Sequence, residues 1–327
     1  MNIAFAGLRH SHIFGLAELA KQNPDFCISG WWEADEKSSQ KGNRFFSKLP
    51  YISYEELLAD ESVDIVAIGD YYSIRGKRVI QAIQAGKHVI CDKPICTSLE
   101  ELDTICYLLK QKHIKLGCLL DLRYEACLRY LASLVADGKL GEIKTASFTG
   151  QHPLNWGIRP KWYFEEGKHG GTFNDIAIHG IDAIRFLTGT NLIKPLYARQ
   201  WNAFAKQAPD FMDCAQCVLE TDKGINVMAD VSYAAPSPGG FQTPAYWRFT
   251  LWGTKGFAEC QIGDPHVTLL FNGDELPHQI TAPAIENDYL RDFKREIDGE
   301  SILFDTKSVL KSSRIALQLQ EYANQKG

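Results

Sequence analysis

The segment Gly170-Gly171-Thr172-Phe173-Asn174-Asp175-Ile176-Ala177-Ile178-His179-Gly180-Ile181-Asp182 spaces two carboxylates and an imidazole at helical intervals. On one helix, Asp175, His179 and Asp182 share a face, where a carboxylate can hold an imidazole ready to take a proton. Histidine suits removal of a hydroxyl proton because its ordinary pKa, about 6.5, lies close to neutrality. Asp175 then either stabilises the imidazolium or touches the substrate itself, and the two leading glycines allow a ligand to approach the backbone closely. The plainer alternative is a solvent-facing helix edge. Metal ligation by Asp175 and His179 lacks a third ligand at a telling spacing, whereas zinc normally takes three or four protein ligands; no metal is expected there.

A second cluster is Cys91-Asp92-Lys93-Pro94, at the end of an apolar run. Pro94 restricts Lys93 and turns the chain outward. A lysine so placed can donate to a substrate oxygen and stabilise alkoxide character as a hydride leaves; in isolation, a Lys-Pro pair in a loop is ordinarily solvent-facing. A third is Gly7-Leu8-Arg9-His10-Ser11-His12-Ile13, between a strand-like run and a helical one. A dinucleotide fingerprint wants glycines where this loop carries Arg9 and His12. Those side chains, with His10, can hold phosphates by charge, or else they mark a cleft built differently. Glu33, at the end of the second strand-like run, can accept hydrogen bonds from an adenosine ribose and repel a 2′-phosphate, favouring NAD over NADP; otherwise it is a solvated loop carboxylate.

The elements that must position these residues follow from periodicity. Short apolar runs at 2–6, 26–32, 63–68, 88–91 and 115–119 alternate with helical patterns at 13–22, 54–59, 76–85 and 99–110, the signature of a parallel sheet covered by helices. Gly7, Glu33, Asp70 and Asp92 all fall at carboxyl ends of strands, where such sheets bind ligands. After a helix at 125–136, longer strand-like segments at 143–150, 195–201, 214–219, 224–233, 246–252 and 256–261 predict a largely antiparallel sheet. The turns Thr221-Asp222-Lys223-Gly224 and Gly253-Thr254-Lys255-Gly256 imply hairpins. Helices at 286–298 and 306–323 end the chain. The expected fold is thus α/β: an N-terminal Rossmann-type doubly wound parallel sheet over residues 1–122 and a C-terminal α+β domain on a largely antiparallel open sheet over 123–327, whose final helices can pack back on the first.

The 327 residues are 45% hydrophobic with a formal charge of −5, enough for two cores. Acidic and basic residues are interspersed, without the basic stripe nucleic acid requires, and no apolar run approaches a membrane span. No secretory leader is read at Met1, so the expected location is cytoplasmic. Nine cysteines scattered through apolar runs read as buried small hydrophobes. Cys214 and Cys217 fall on opposite faces of a strand, which argues against a metal or redox pair.

These motifs resemble those of the glucose-fructose oxidoreductase, inositol dehydrogenase and MocA family. Gly86-Lys87-His88-Val89-Ile90-Cys91-Asp92-Lys93-Pro94 is similar to its Gly-Lys-His-Val then Glu-Lys-Pro segment, and Gly170 through Asp182 to its glycine-rich Asp-x-x-x-His-x-x-Asp segment. Gly138 to Ile143 resembles the turn into its central sheet, and Tyr289 to Phe293 its penultimate helix. The resemblance implies a nicotinamide-dependent oxidation of a secondary hydroxyl, or the reverse reduction, in a sugar, polyol or sugar-derived acid. It places Lys93, Asp175 and His179 at the catalytic positions. Candidate cofactor contacts are Gly7, Arg9, His12, Ile13, Glu33, Asp70, Tyr71, Tyr72, Arg75, Asp92 and Lys93; candidate substrate contacts are Arg123, Trp156, Arg159, Trp162, Asp175 and His179. A homodimer or homotetramer through the open sheet is implied as well.

The sequence departs from the family pattern in three places. Asp92 stands for the usual glutamate, the first loop lacks its glycines, and Gly69-Asp70-Tyr71-Tyr72-Ser73-Ile74-Arg75 replaces a Thr-Pro-Asn-His-x-His type of loop. Tyr71 or Tyr72 can stack on adenine or nicotinamide, or occlude them. Trp156 and Trp162 offer aromatic faces to a sugar or simply pack the domain. Two further readings stay open: the same fold serving imine reduction or redox-assisted glycoside cleavage, and a carbohydrate sensor that has lost its cofactor.

Overall fold

The computed structural model describes residues 1–191, 193–286 and 289–325. The chain divides into two compact units. The first comprises Met1–Leu119, Gly167–Gly170 and Tyr289–Ser313, and the second Leu120–Glu166, Gly171–Asp288 and Arg314–Gly327.

In the first unit, β1 (Asn2–Ala6), β2 (Cys27–Trp32), β3 (Ile65–Ile68), β4 (His88–Cys91) and β5 (Leu116–Cys118) form a parallel sheet in the order β2-β1-β3-β4-β5. The central strand β3, Ile-Val-Ala-Ile, is buried at every position, as suits a strand covered on both faces. The helices are α1 (His12–Gln22), α2 (Glu36–Phe45), α3 (Tyr54–Ala59), α4 (Tyr72–Gln84) and α5 (Leu99–Gln111). Ser53 opens α3 with a capping box to Glu56, and Ser98 caps α5, each satisfying amides that the first turn leaves unpaired.

Two expectations for this unit need correction. Residues 36–45 form a helix absent from the sequence reading; its mean polarity hides the periodicity, although Asp35 caps it by accepting from Ser38 N–H. The helix expected from Gly76 begins at Tyr72, so Tyr72 and Arg75 lie on its first turn. Thr306 Oγ1 accepts the Leu116 amide of β5 at 3.0 Å.

The second unit holds α6 (Ala126–Ala136), β6 (Ile143–Pro153), α7 (Ile178–Thr188), β7 (Ile193–Trp201), β8 (Cys214–Thr221), β9 (Asn226–Ala235), β10 (Arg248–Gly253), β11 (Gly256–Gln261), β12 (His266–Phe271) and β13 (His278–Thr281). The eight strands run β13-β12-β11-β10-β6-β9-β8-β7, antiparallel throughout except for the parallel pair β6–β9. Both expected hairpins form, β8–β9 and β10–β11. β12 and β13 escaped the sequence reading because β13 carries no apolar alternation to announce it. One sheet face is buried through Ala146, Phe148, Phe249 and Leu251; the other shows Tyr197, Met228 and Trp252 to solvent. The last helices are α8 (Tyr289–Ile297) and α9 (Thr306–Asn324). Of the expected start of α8, Asn287 and Asp288 lie outside the described residues. Seven of the nine cysteines are buried, Cys214 and Cys217 among them. Among the described residues no helix is long and apolar enough to cross a membrane.

Candidate active site

In the first unit the sheet order reverses between β1 and β3, and ligands of such sheets bind at the carboxyl ends of the strands beside that reversal. Gly7 holds φ at +77°, and a Cβ there would lie 2.7 Å from the Asp70 backbone nitrogen. Only glycine combines that conformation with that approach. The turn is fixed by Gly7 N–H to Trp32 carbonyl (2.9 Å) and His10 N–H to Gly69 carbonyl (3.0 Å). It leads through Ile13, buried against Gly69, into α1, whose N-terminus carries the positive end of a helix dipole.

Glu33 is buried, and its carboxylate already serves the chain: it accepts Leu8 N–H at 2.5 Å, Asp35 N–H at 2.7 Å and Arg9 Nε at 3.2 Å. Burial raises its pKa against the pull of those donors. Arg9 Nε also reaches Asp70 Oδ1 at 3.2 Å, and the guanidinium lies 5.0 Å from the centre of the Tyr71 ring. Glu33 therefore tethers the first loop through both backbone and side chain, a role the sequence reading did not foresee.

Deeper in the same unit, Asp92 is the hub of a buried network. Its Oδ2 accepts from His10 Nδ1 and from Arg75 Nη2 (3.2 Å), while its Oδ1 accepts Lys93 N–H (2.8 Å). Burial alone would raise the Asp92 pKa, but His10, Arg75 and His12 outweigh it and hold the carboxyl well below its usual range. Burial pulls the His10 pKa down to about 3, against the raising effect of Asp92. Arg75 also donates to the Asp70 carbonyl at 2.7 Å and to the Lys93 carbonyl. Residue 93 is thus clamped on both sides of its peptide by Asp92 and Arg75. Tyr72 Oη stands 3.3 Å from His10 Nε2, and its ring centre 5.8 Å from Lys93 Nζ. Tyr72 is fully buried and Tyr71 is not.

In the second unit, the helix expected to run unbroken through residues 170–182 is a π-helical turn, Phe173–Ala177, leading into α7. The wider turn changes the assumed 3.6-residue register at Asp175, while His179 and Asp182 stay on regular helix; such bulges occur often at functional sites. Gln320 supports the turn by accepting Phe173 N–H at 3.2 Å. Asp175 Oδ2 accepts the Tyr233 hydroxyl. Burial and the Asp175 charge hold that phenol well above its usual pKa, so it stays a donor. The His179 ring sits edge-on to Trp247, with centroids 5.6 Å apart.

Asp182 instead takes a bidentate pair from Arg123, Nε to Oδ2 at 2.6 Å and Nη2 to Oδ1 at 2.7 Å, with both residues buried. This ion pair anchors the stretch before α6 to α7. Arg159 donates to the carbonyls of Leu154 (3.1 Å) and Pro153 (3.0 Å) and lies 5.0 Å from the Tyr233 ring centre. Trp162 is buried beside Tyr163, whereas Trp156 is 44% exposed. Tyr233, Trp247 and the half-buried His152, whose ring lies 5.5 Å from that of Trp247, complete the surroundings. Sequence reading missed all three, since aromatic residues on strands read first as core.

Two family models match the chain: an oxidoreductase family with an NAD-binding Rossmann fold over residues 1–118, and the GFO/IDH/MocA C-terminal domain over residues 128–259. The chain belongs to the GFO/IDH/MocA oxidoreductase family. Among its relatives, 1,5-anhydro-D-fructose reductase of Ensifer adhaerens is 31% identical over 141 residues, 41% of this chain and 40% of the reductase. Matches with two further curated relatives span 38% and 40% of their lengths. A solved structure from Erwinia carotovora atroseptica is 23% identical with a TM-score of 0.90 and covers 99% of each chain. An inositol dehydrogenase homolog from Azotobacter vinelandii, solved with NAD+, is 17% identical with a TM-score of 0.82, covering 100% of this chain and 96% of that one. At these identities the likeness is one of fold.

Proposed function

We propose that the protein is a dehydrogenase that transfers hydride between NAD and a secondary hydroxyl or keto group of a sugar, polyol or sugar-derived acid. The observation that carries this reading is the reversal of strand order between β1 and β3, with Gly7, Asp70 and Lys93 just past the ends of three adjacent strands. The first loop fits a dinucleotide. Gly7 makes the close turn, the α1 N-terminus favours a pyrophosphate, and Arg9 and His12 replace the missing glycines with donors. Glu33, a carboxylate beside that loop, disfavours a 2′-phosphate and supports NAD over NADP. Relatives named for anhydrofructose, levoglucosan and inositol support a cyclic polyhydroxy substrate.

Bound nicotinamide supplies the hydride acceptor. Lys93, whose backbone is held by Asp92 and Arg75, donates through its ammonium to the substrate oxygen and stabilises its developing charge. His179 takes the hydroxyl proton, and Asp175, fixed by Tyr233, orients the substrate or steadies the imidazolium. Arg159 and Trp156 contact substrate hydroxyls and C–H faces. Arg123 and Trp162 serve the same site through packing. The exposed sheet face around Tyr197, Val218 and Met228 suits a homodimer or homotetramer, burying apolar area now open to water.

Calorimetry with NAD, NADH, NADP and NADPH tests the cofactor assignment. NADH is expected to bind and to raise the thermal midpoint with the logarithm of its concentration above Kd, with NADPH weaker. Tighter binding of NADPH would reverse the Glu33 argument, and binding of none would favour a sensor.

A further inference from the structure

We propose that His10, His12 and Asp92 form a binding site for a divalent first-row transition ion such as zinc or cobalt. One donor atom from each residue lies within 4.8 Å of the others. His10 Nδ1 contacts Asp92 Oδ2, His12 Nδ1 stands 3.4 Å from Asp92 Oδ1, and the two imidazole rings meet edge to face with centroids 4.3 Å apart. Two imidazoles and one carboxylate, from the first loop, the start of α1 and the end of β4, are a donor set that holds such ions while leaving coordination positions open.

The outer partners a metal site needs are also built. Tyr72 Oη is 3.3 Å from His10 Nε2, where it fixes the ring and can take the N–H that ligation through Nδ1 leaves on the far side. Arg75 Nη2 at 3.2 Å and the Lys93 amide at 2.8 Å orient the carboxylate. Partners of this kind set ring tautomer and ligand direction in known sites. The His12 side chain is 46% exposed, which gives an ion a way in, while His10 and Asp92 are buried. The Arg75 charge works against a cation here, so hard ions that depend on carboxylate charge, magnesium above all, are disfavoured relative to ions that bond well to imidazole.

The inference goes beyond the dinucleotide reading and is tested without dinucleotide, so either can fail alone. The untagged chain, stripped with EDTA, is titrated with Co2+ while its visible d–d absorption is followed, and with Zn2+ by calorimetry. The expected result is one ion per chain, no response to Mg2+, and at least about tenfold weaker binding in His12→Ala, the scale on which weakened metal shells lower affinity. Because His12 is half-exposed, that variant is expected to keep the thermal midpoint of the wild type in EDTA. No saturable Co2+ band, or equal affinity in His12→Ala, would overturn the site and leave His10 and Asp92 as a hydrogen-bonded pair only.

Discussion

His179→Ala is expected to lower kcat on the oxidised substrate by about 10²- to 10⁴-fold, the usual range for losing a positioned general base. The side chain is buried at the start of α7, edge-on to Trp247, so its loss removes a proton acceptor together with some packing. Far-UV circular dichroism and dinucleotide affinity should stay near wild type, because the first loop belongs to the other unit. A variant that folds, binds NADH and turns over normally would remove His179 from the mechanism. His179→Gln gives a sharper contrast: it keeps a polar side chain of similar reach but cannot serve as a base near neutral pH, so it should be as slow as His179→Ala.

Arg123→Ala is expected to destabilise the protein by about 3–5 kcal/mol, the cost of leaving a buried charge without its partner. Asp182 would keep Arg185, 3.8 Å from Oδ1. Denaturant unfolding checks the size. Replacing the pair together, Arg123→Met with Asp182→Leu, should recover most of the loss, since two apolar side chains of similar volume need no ion-pair compensation. If Arg123→Ala were as stable as wild type but bound substrate poorly, the guanidinium would face the substrate rather than Asp182.

The strands of the parallel sheet were legible because each is a short apolar run between turn signals. β1, α3 and β4 match their expected bounds, and both hairpins were announced by their Gly-containing turns. Long-range pairing was less legible. Nothing in the local pattern tells that Asp182 answers Arg123 across 59 positions, or that Glu33 reaches back to the Leu8 amide. The π-helical turn at Phe173–Ala177 was invisible too, since its residues suit an α-helix equally well, and its contact with Gln320 joins positions far apart in the chain. For the candidate site the sequence named motifs, and the structure adds the partners that hold them: Glu33 for the first loop, Asp92 and Arg75 for the Lys93 peptide, Tyr233 for the Asp175 carboxylate. Tyr233 lacked a local signal, and His10 was named only beside the phosphate loop; their bonds to Asp175 and Asp92 join positions far apart in the chain.

The central claim is hydride transfer to nicotinamide, and the most direct measurement is incubation of the wild-type chain with NAD and, in turn, inositols, hexoses, lactones and their acids. Reduced nicotinamide and the matching ketone should accumulate in equal amounts with at least one of them, and not with His179→Ala. Dinucleotide that stays oxidised with every compound, and NADH that stays reduced with every corresponding ketone, would contradict the dehydrogenase account.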